Sequence, residues 1–259
     1  PSDCAEWPPG GSPPAPAITR TQTAPETTRP PEAGRAAPAP DATRRRPIAG
    51  APVAPPPAAD EALAAAKTAA AACATVEALA DAVAAFEGCA LKGGARNTVF
   101  IDGSATGDLL VIGEAPGRDE DRIGKPFVGR AGQLLDRMLA AIGRDRARDT
   151  LITNVVFWRP PGNRTPTAVE TAVCKPFVER LVEILRPKAI VLAGGAPTQA
   201  MLGVSGIMRA RGGWREIRVG DVTVPTLPMF HPAFLLRQPA QKRLAWTDLL
   251  ALDAKLRDG

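Results

Sequence analysis

The chain has 259 residues, 28 Pro, four Cys, one His, no Tyr and a formal net charge of +5. Its first 60 residues carry 16 of the prolines, Trp7 as their one aromatic residue, and six Arg balanced by six acids, so the rest of the chain carries the whole positive charge. So proline-rich a segment buries too little apolar surface to offset its ordering entropy, and a disordered tail over 1–60 is expected. The remaining 199 residues, 61–259, are enough for one domain with a real core. No apolar run is long enough for a membrane span, and no basic segment followed by an apolar run opens the chain, so neither a membrane anchor nor a secretory leader is expected. Cysteines at 4, 73, 89 and 174 form no disulfide framework, which points to a reducing cytoplasm.

Taken in chain order, the Ala-rich stretch 61–85, with Leu63, Val76, Leu79 and Val83 near a helical period, predicts one N-terminal helix. Asn97–Ile101 and Asp108–Ile112 read as strands, Ala131–Ile142 as an amphipathic helix and Leu151–Val156 as a strand. Val169–Leu185 is a helix stopped by Arg186-Pro187. Lys188–Leu192 is an apolar strand followed by Gly194-Gly195 and a short helix to Leu202. Thr223–Phe230 is a strand whose Pro225 and Pro228 suggest an edge, and Pro239–Arg257 closes the chain as a helix. Alternation of this kind predicts a three-layer α/β/α fold with a central, mostly parallel, four-stranded sheet. Ligands bind such sheets at the carboxyl ends of the strands, so the loops after Ile112, Val156 and Phe230 should meet at one rim.

Several chemistries are excluded. No phosphate-binding Gly-x-x-x-x-Gly-Lys-Ser/Thr is present, no Gly-x-Ser-x-Gly elbow, and one histidine cannot build a His-rich metal site. Four groups remain. Gly113-Glu-Ala-Pro-Gly117 is a turn after a buried strand, with Glu114 at the strand tip and Glu120 and Asp121 just beyond. Gly124-Lys-Pro-Phe-Val-Gly129 places Phe127 in a loop as a stacking platform or as a plug into the core. Asn154 ends a strand, where its amide offers both a donor and an acceptor to a base edge, or caps a turn. His231 follows the apolar strand of Met229-Phe-His-Pro232.

Together these stretches, with Arg159-Pro-Pro-Gly-Asn-Arg164 and Leu235-Leu-Arg237, resemble the uracil-DNA glycosylase superfamily, most closely its type-4 branch, over about Phe86 to Leu252. The resemblance implies hydrolysis of the N-glycosidic bond of deoxyuridine by base flipping, in base excision repair, leaving an abasic site. It implies that Phe127 stacks on the flipped base, with Ala115 and Gly117 beside it. Asn154 reads the polar edge of the base and excludes cytosine. His231 stabilises charge at O2, and Glu114 orients water or stabilises the sugar cation, with Glu120 and Asp121 as alternatives. It assigns Lys125, Arg159, Arg164 and Gly195 to DNA contact, and Leu235, Leu236 and Arg237 to the wedge that fills the emptied stack.

The branch also carries a four-iron cluster on four cysteines. Here the matching positions read Phe86, Cys89, Trp158 and Cys174. Two thiolates are replaced by aromatic side chains, so no cofactor and no metal are expected, with Cys89 and Cys174 as remnants. Uracil-containing DNA is the expected partner and a monomer the expected state. The Pro-rich tail reads either as a tether for a protein partner or as a segment with none. Two alternatives stay open: a glycosylase for hypoxanthine or xanthine, and a catalytically silent module that binds uracil-containing or single-stranded DNA.

Overall fold

The computed structural model describes residues 59–258, so the tail expected over 1–60 lies almost wholly outside the described residues. Two helices open the description, α1 (Ala59–Ala71) and α2 (Val76–Ala85), where one was expected. The break falls at Thr75, whose side chain accepts the Ala78 N–H at 3.2 Å and starts a new helix. Then come β1 (Ile101–Gly103), β2 (Leu109–Gly113), α3 (Arg118–Ile123), α4 (Arg130–Ala140), β3 (Thr150–Asn154) and α5 (Ala168–Leu185). The chain continues as β4 (Ala189–Ala193), α6 (Gly195–Leu202), α7 (Ile207–Ala210), β5 (Arg215–Val219), β6 (Val222–Met229), α8 (Pro232–Arg237) and α9 (Lys242–Asp258).

The sheet has six strands rather than four, in the order β1-β3-β2-β4-β6-β5. The expected parallel strands β3, β2, β4 and β6 form its centre, and β1 and β5 extend it antiparallel at the two edges. The central strands are buried on both faces. Leu110, Ile112, Ile190 and Leu192 join a core with α1, α2, α5 and α6. Leu109, Val111, Val191 and Leu227 face the opposite way, onto α4 and α9. Burial on both faces is why these strands read as uninterrupted apolar runs.

β6 is not an edge strand, and each of its prolines sits where one side is unpaired. The β5 ladder ends at Thr226, and the Pro228 carbonyl, on that same side, accepts from Gly212 N–H at 3.0 Å instead. The β4 ladder begins only at Thr226, so Pro225, facing the other way, interrupts nothing. A missing N–H at either position therefore removes no ladder bond.

Register places the functional rim. Gly113 pairs with Asn154, Ile112 with Leu192 and Ala193 with Met229, so the four parallel strands end nearly flush. From β2 the chain crosses by α3 and α4 to β3 on one side, then by α5 to β4 on the other. The reversal leaves a crevice at the carboxyl end of β2, where doubly wound sheets bind ligands.

Candidate base-binding site

At that rim lies a cavity of about 490 Å³, walled by Glu114, Ala115 and Gly117 after β2, by Phe127, by Asn154 at the end of β3, and by His231 after β6. All six are residues that the resemblance assigns to the base pocket or its chemistry.

His231 is the N-cap of α8, and its Nδ1 accepts the Ala233 N–H at 3.0 Å. An acceptor at Nδ1 puts the proton of a neutral ring on Nε2, as a donor. Burial first, and then the Arg237 cation, pull the His231 pKa from 6.5 to about 4 against a smaller opposing effect of Glu120. The ring is therefore neutral at pH 7, and Nε2–H is a fixed uncharged donor.

The Phe127 ring lies 5.5 Å from the His231 ring, centroid to centroid, inclined at 31°. Its backbone is left-handed, with φ of 53°, which is unusual for so large a residue. Two glycines make room for it. A Cβ on Gly113 would stand 2.5 Å from Phe127 Cε2 and would also strike Asn154 Oδ1. One on Gly132 would collide with the Phe127 carbonyl. Asn154 itself is 2 % exposed, so a ligand paired to its amide would be read away from bulk water.

Glu114 is half-buried, and burial raises its pKa against an opposing contribution from the Thr165 hydroxyl. The other two acids are committed to the scaffold. Glu120 accepts from the N–H groups of Gly117 at 3.1 Å, Val128 at 3.0 Å and Gly129 at 2.8 Å, tying the two pocket loops together. Asp121 accepts from the N–H of Arg96 at 2.8 Å and of Asn97 at 3.3 Å. Of the three acids, Glu114 alone lines the cavity with a carboxylate not engaged by backbone N–H groups.

Several expected DNA contacts have other engagements. Lys125 pairs with Asp102 at 3.0 Å. Arg159 donates to Asn163 Oδ1 at 2.7 Å. Arg164 reaches the cavity wall, but both its terminal nitrogens bond Glu170, at 2.9 and 2.6 Å, and this pair, Arg164 foremost, holds Glu170 at a pKa of about 2. Gly195 lies outside the cavity, in the first turn of α6. Leu235 is not available as a wedge, because it is 1 % exposed and packed with Phe230 and Ala245, whereas its neighbour Leu236 is exposed. Arg237 stands at the cavity and, among the described residues, makes no ion pair within 4.0 Å. Asn163 and Thr165 also line the cavity. The Arg-Pro-Pro-Gly-Asn-Arg run marked their loop but gave no sign of which residues turn inward.

The positions that correspond to cluster ligands form apolar core. Phe86 packs edge-on against Phe177 at 5.1 Å, and Trp158 is buried against Phe157 at 5.8 Å with its indole N–H donating to Thr98 Oγ1 at 3.0 Å. Cys89 and Cys174 are buried neighbours. Their interaction favours the thiolate at Cys89 and, with burial, pushes the Cys174 thiol well up. Cys73 directs its sulfur at the Ala69 and Ala78 carbonyls, at 3.2 and 3.5 Å. Among the described residues no three His, Cys, Asp or Glu side chains are grouped to hold a metal ion, and a four-thiolate cluster does not fit this donor set.

An aromatic face, a buried amide and a neutral imidazole donor beside a carboxylate are the groups that recognition of a single planar heterocycle calls for. Comparison with known proteins agrees. A family model for the uracil DNA glycosylase superfamily matches residues 100–250. The chain is 38% identical over 157 residues to a type-4 uracil-DNA glycosylase of Pyrobaculum aerophilum, covering 59% of this chain and 80% of that protein. It is 40% identical over 142 residues to one of Archaeoglobus fulgidus, with 53% and 71% covered, and 39% identical over 166 residues to one of Thermotoga maritima, with 62% and 83% covered. The chain belongs to the uracil-DNA glycosylase superfamily.

Proposed function

We propose that the protein excises uracil from DNA by hydrolysing the bond between N1 of the base and C1′ of deoxyribose, leaving an abasic site. The reading is carried by the convergence of Phe127, Asn154 and His231 on one cavity beside Glu114. Extruding the base costs a few kcal/mol of stacking, which the Phe127 face and the pocket partly restore. Asn154 donates its amide N–H to uracil O4 and accepts from N3–H. Cytosine presents the opposite pattern at both atoms and is refused. As the C1′–N1 bond breaks, its electron pair moves onto N1 and O2. His231 Nε2–H donates to that oxygen, an interaction that strengthens as charge develops and therefore acts on the transition state. The carboxylate of Glu114 faces the cationic sugar and orients the water that adds at C1′, whose proton it receives.

Leu236, with Arg237, is the side chain that enters the vacated stack, and Arg237 meets a backbone phosphate. The catalytic unit is 61–259, with 1–60 a Pro-rich tail. It works as a monomer, since the cavity is complete within one chain, in the cytoplasm, and it holds no iron–sulfur cluster, since Phe86 and Trp158 occupy the volume of two ligands. No described helix is long and apolar enough to cross a membrane.

The test is alkali-dependent strand cleavage of duplexes bearing one uracil, hypoxanthine or xanthine, with iron measured on the same preparation. Cleavage at uracil alone by iron-free protein is expected. Cleavage at a purine would replace the substrate reading. Tight binding without any abasic site would make the chain a silent binding module. Stoichiometric iron would overturn the cluster-free reading.

A further inference from the structure

We propose that Arg146, which does not line the cavity, is a positioning residue for base recognition. With Glu120 it clamps the turn 126–129 from two sides and so fixes the Phe127 ring where a flipped base would stack. The proposal rests on the reading of Phe127 as the stacking platform and adds the residue that sets it.

The turn is held by opposite charges at opposite backbone groups. The Arg146 guanidinium donates to the Pro126 carbonyl at 3.2 Å and to the Phe127 carbonyl at 2.8 Å. Just downstream, Glu120 Oε1 accepts from the Val128 and Gly129 N–H groups at 3.0 and 2.8 Å. Cation on the carbonyls and anion on the amides oppose any rotation of the peptides flanking Phe127. Rotation is what a phenylalanine at φ of 53° would otherwise undergo, because a side chain of that size favours negative φ.

Arg146 is itself fixed. Its Nη1 meets Asp102 Oδ2 on β1 at 2.8 Å, and its Nη2 meets Asp136 Oδ1 on α4 at 2.8 Å. Lys125, one residue before the turn, pairs with the other Asp102 oxygen at 3.0 Å. Burial opposes the Asp102 charge, but hydrogen bonds from Arg146 and Lys125 outweigh it and hold the carboxyl below its ordinary range. The clamp thus runs from an edge strand and a helix to the platform, and a planar fork able to reach two carbonyls and two carboxylates is something only arginine supplies.

The test is a double-mutant cycle between Arg146→Lys and Phe127→Ala, read as single-turnover kcat/KM on uracil-containing DNA. Lysine keeps the charge facing both aspartates but loses the fork. Arg146→Lys in the otherwise unchanged chain should lower kcat/KM about 100-fold, the effect of a misplaced contact, and weaken inhibition by free uracil in parallel. In the Phe127→Ala background the same change should cost less than about twofold, since there is no ring left to place. A residue that merely stabilised the fold would cost the same in both backgrounds, and that result overturns the proposal. Should Arg146→Lys fail to fold, the cycle run with Asp136→Asn decides, with a smaller loss of the same non-additive kind expected. Wild type that excises uracil while the two changes add independently refutes the clamp alone. Wild type that excises no uracil refutes the reading beneath it.

Discussion

His231 offers the sharpest test, because its structural and catalytic duties can be separated. As the N-cap of α8 it accepts a hydrogen bond through Nδ1, and as a candidate catalyst it donates through Nε2. Replacing it with alanine removes both. Loss of the cap should cost about 1 kcal/mol of stability. Loss of a donor aimed at developing charge should cost about 100- to 1000-fold in kcat, or about 3–4 kcal/mol. His231→Asn keeps a good capping acceptor but its amide cannot reach the place of Nε2–H, so stability should return and activity should not. The pH dependence follows from the same geometry. Unfolded histidine titrates at 6.5 and folded His231 at about 4, so between those values the unfolded chain binds the extra proton. Stability should therefore fall as pH drops through that window, by up to about 3 kcal/mol, with no contribution from His231 above pH 6.5. Catalysis, using the neutral ring, should show no decline on raising pH through 6.5. Single-turnover excision from a labelled oligonucleotide, with thermal melts of each variant, measures both. His231→Asn within about threefold of wild type would refute the donor role, as would a rate that falls with an inflection near 6.5 and loses that inflection in the variant.

Asn154→Asp replaces the N–H facing O4 with a second acceptor. Uracil excision should fall about 100-fold, with cytosine gaining a match at its N4 amine but still opposed at N3, so that discrimination between the two bases shrinks; competition between the two oligonucleotides measures it. Gly113→Ala would drive a methyl group against Phe127 and Asn154 at once. It should lose activity beyond its stability cost of about 1–3 kcal/mol, as read by kcat/KM beside a denaturant melt. Glu170, held at about 2 chiefly by Arg164, contributes stability that is present above pH 4.5 and lost as pH falls toward 2. Solvent on the Arg164 side limits this to about 1 kcal/mol, so Arg164→Met should remove about that much stability at pH 7, leave stability near pH 2 unchanged and so flatten the acid limb of the stability curve.

What the sequence disclosed followed burial. β2 and β4 are covered on both faces and read as apolar runs. β5, Arg215–Val219, exposes three of its five residues almost in alternation and carries Arg, Glu and Arg, so it left no strand signal. α3, Arg-Asp-Glu-Asp-Arg-Ile, has no apolar face to reveal it. The break between α1 and α2 was hidden by alanines that suit either side of it, and only Thr75 marked it. At the site, Glu114, Phe127, Asn154 and His231 were legible because each sits at a strand end or in a Gly-flanked loop. The duties of Glu120 and Asp121 were not, since three acids at a helix start look alike until their backbone partners are placed. Nor was Leu235, which its neighbour Leu236 matches in type and not in burial. Arg146 carried no mark at all, because its role depends on carbonyls twenty residues away.

The most direct test of the account is release of free uracil from a uracil-containing duplex by the full chain under single-turnover conditions, beside Glu114→Gln and His231→Ala at matched folded concentration. The convergence of these side chains predicts uracil release by wild type and a loss of at least about 100-fold in each variant. Wild type that folds, binds the duplex and releases no uracil would contradict it, leaving the rim a binding site without hydrolysis.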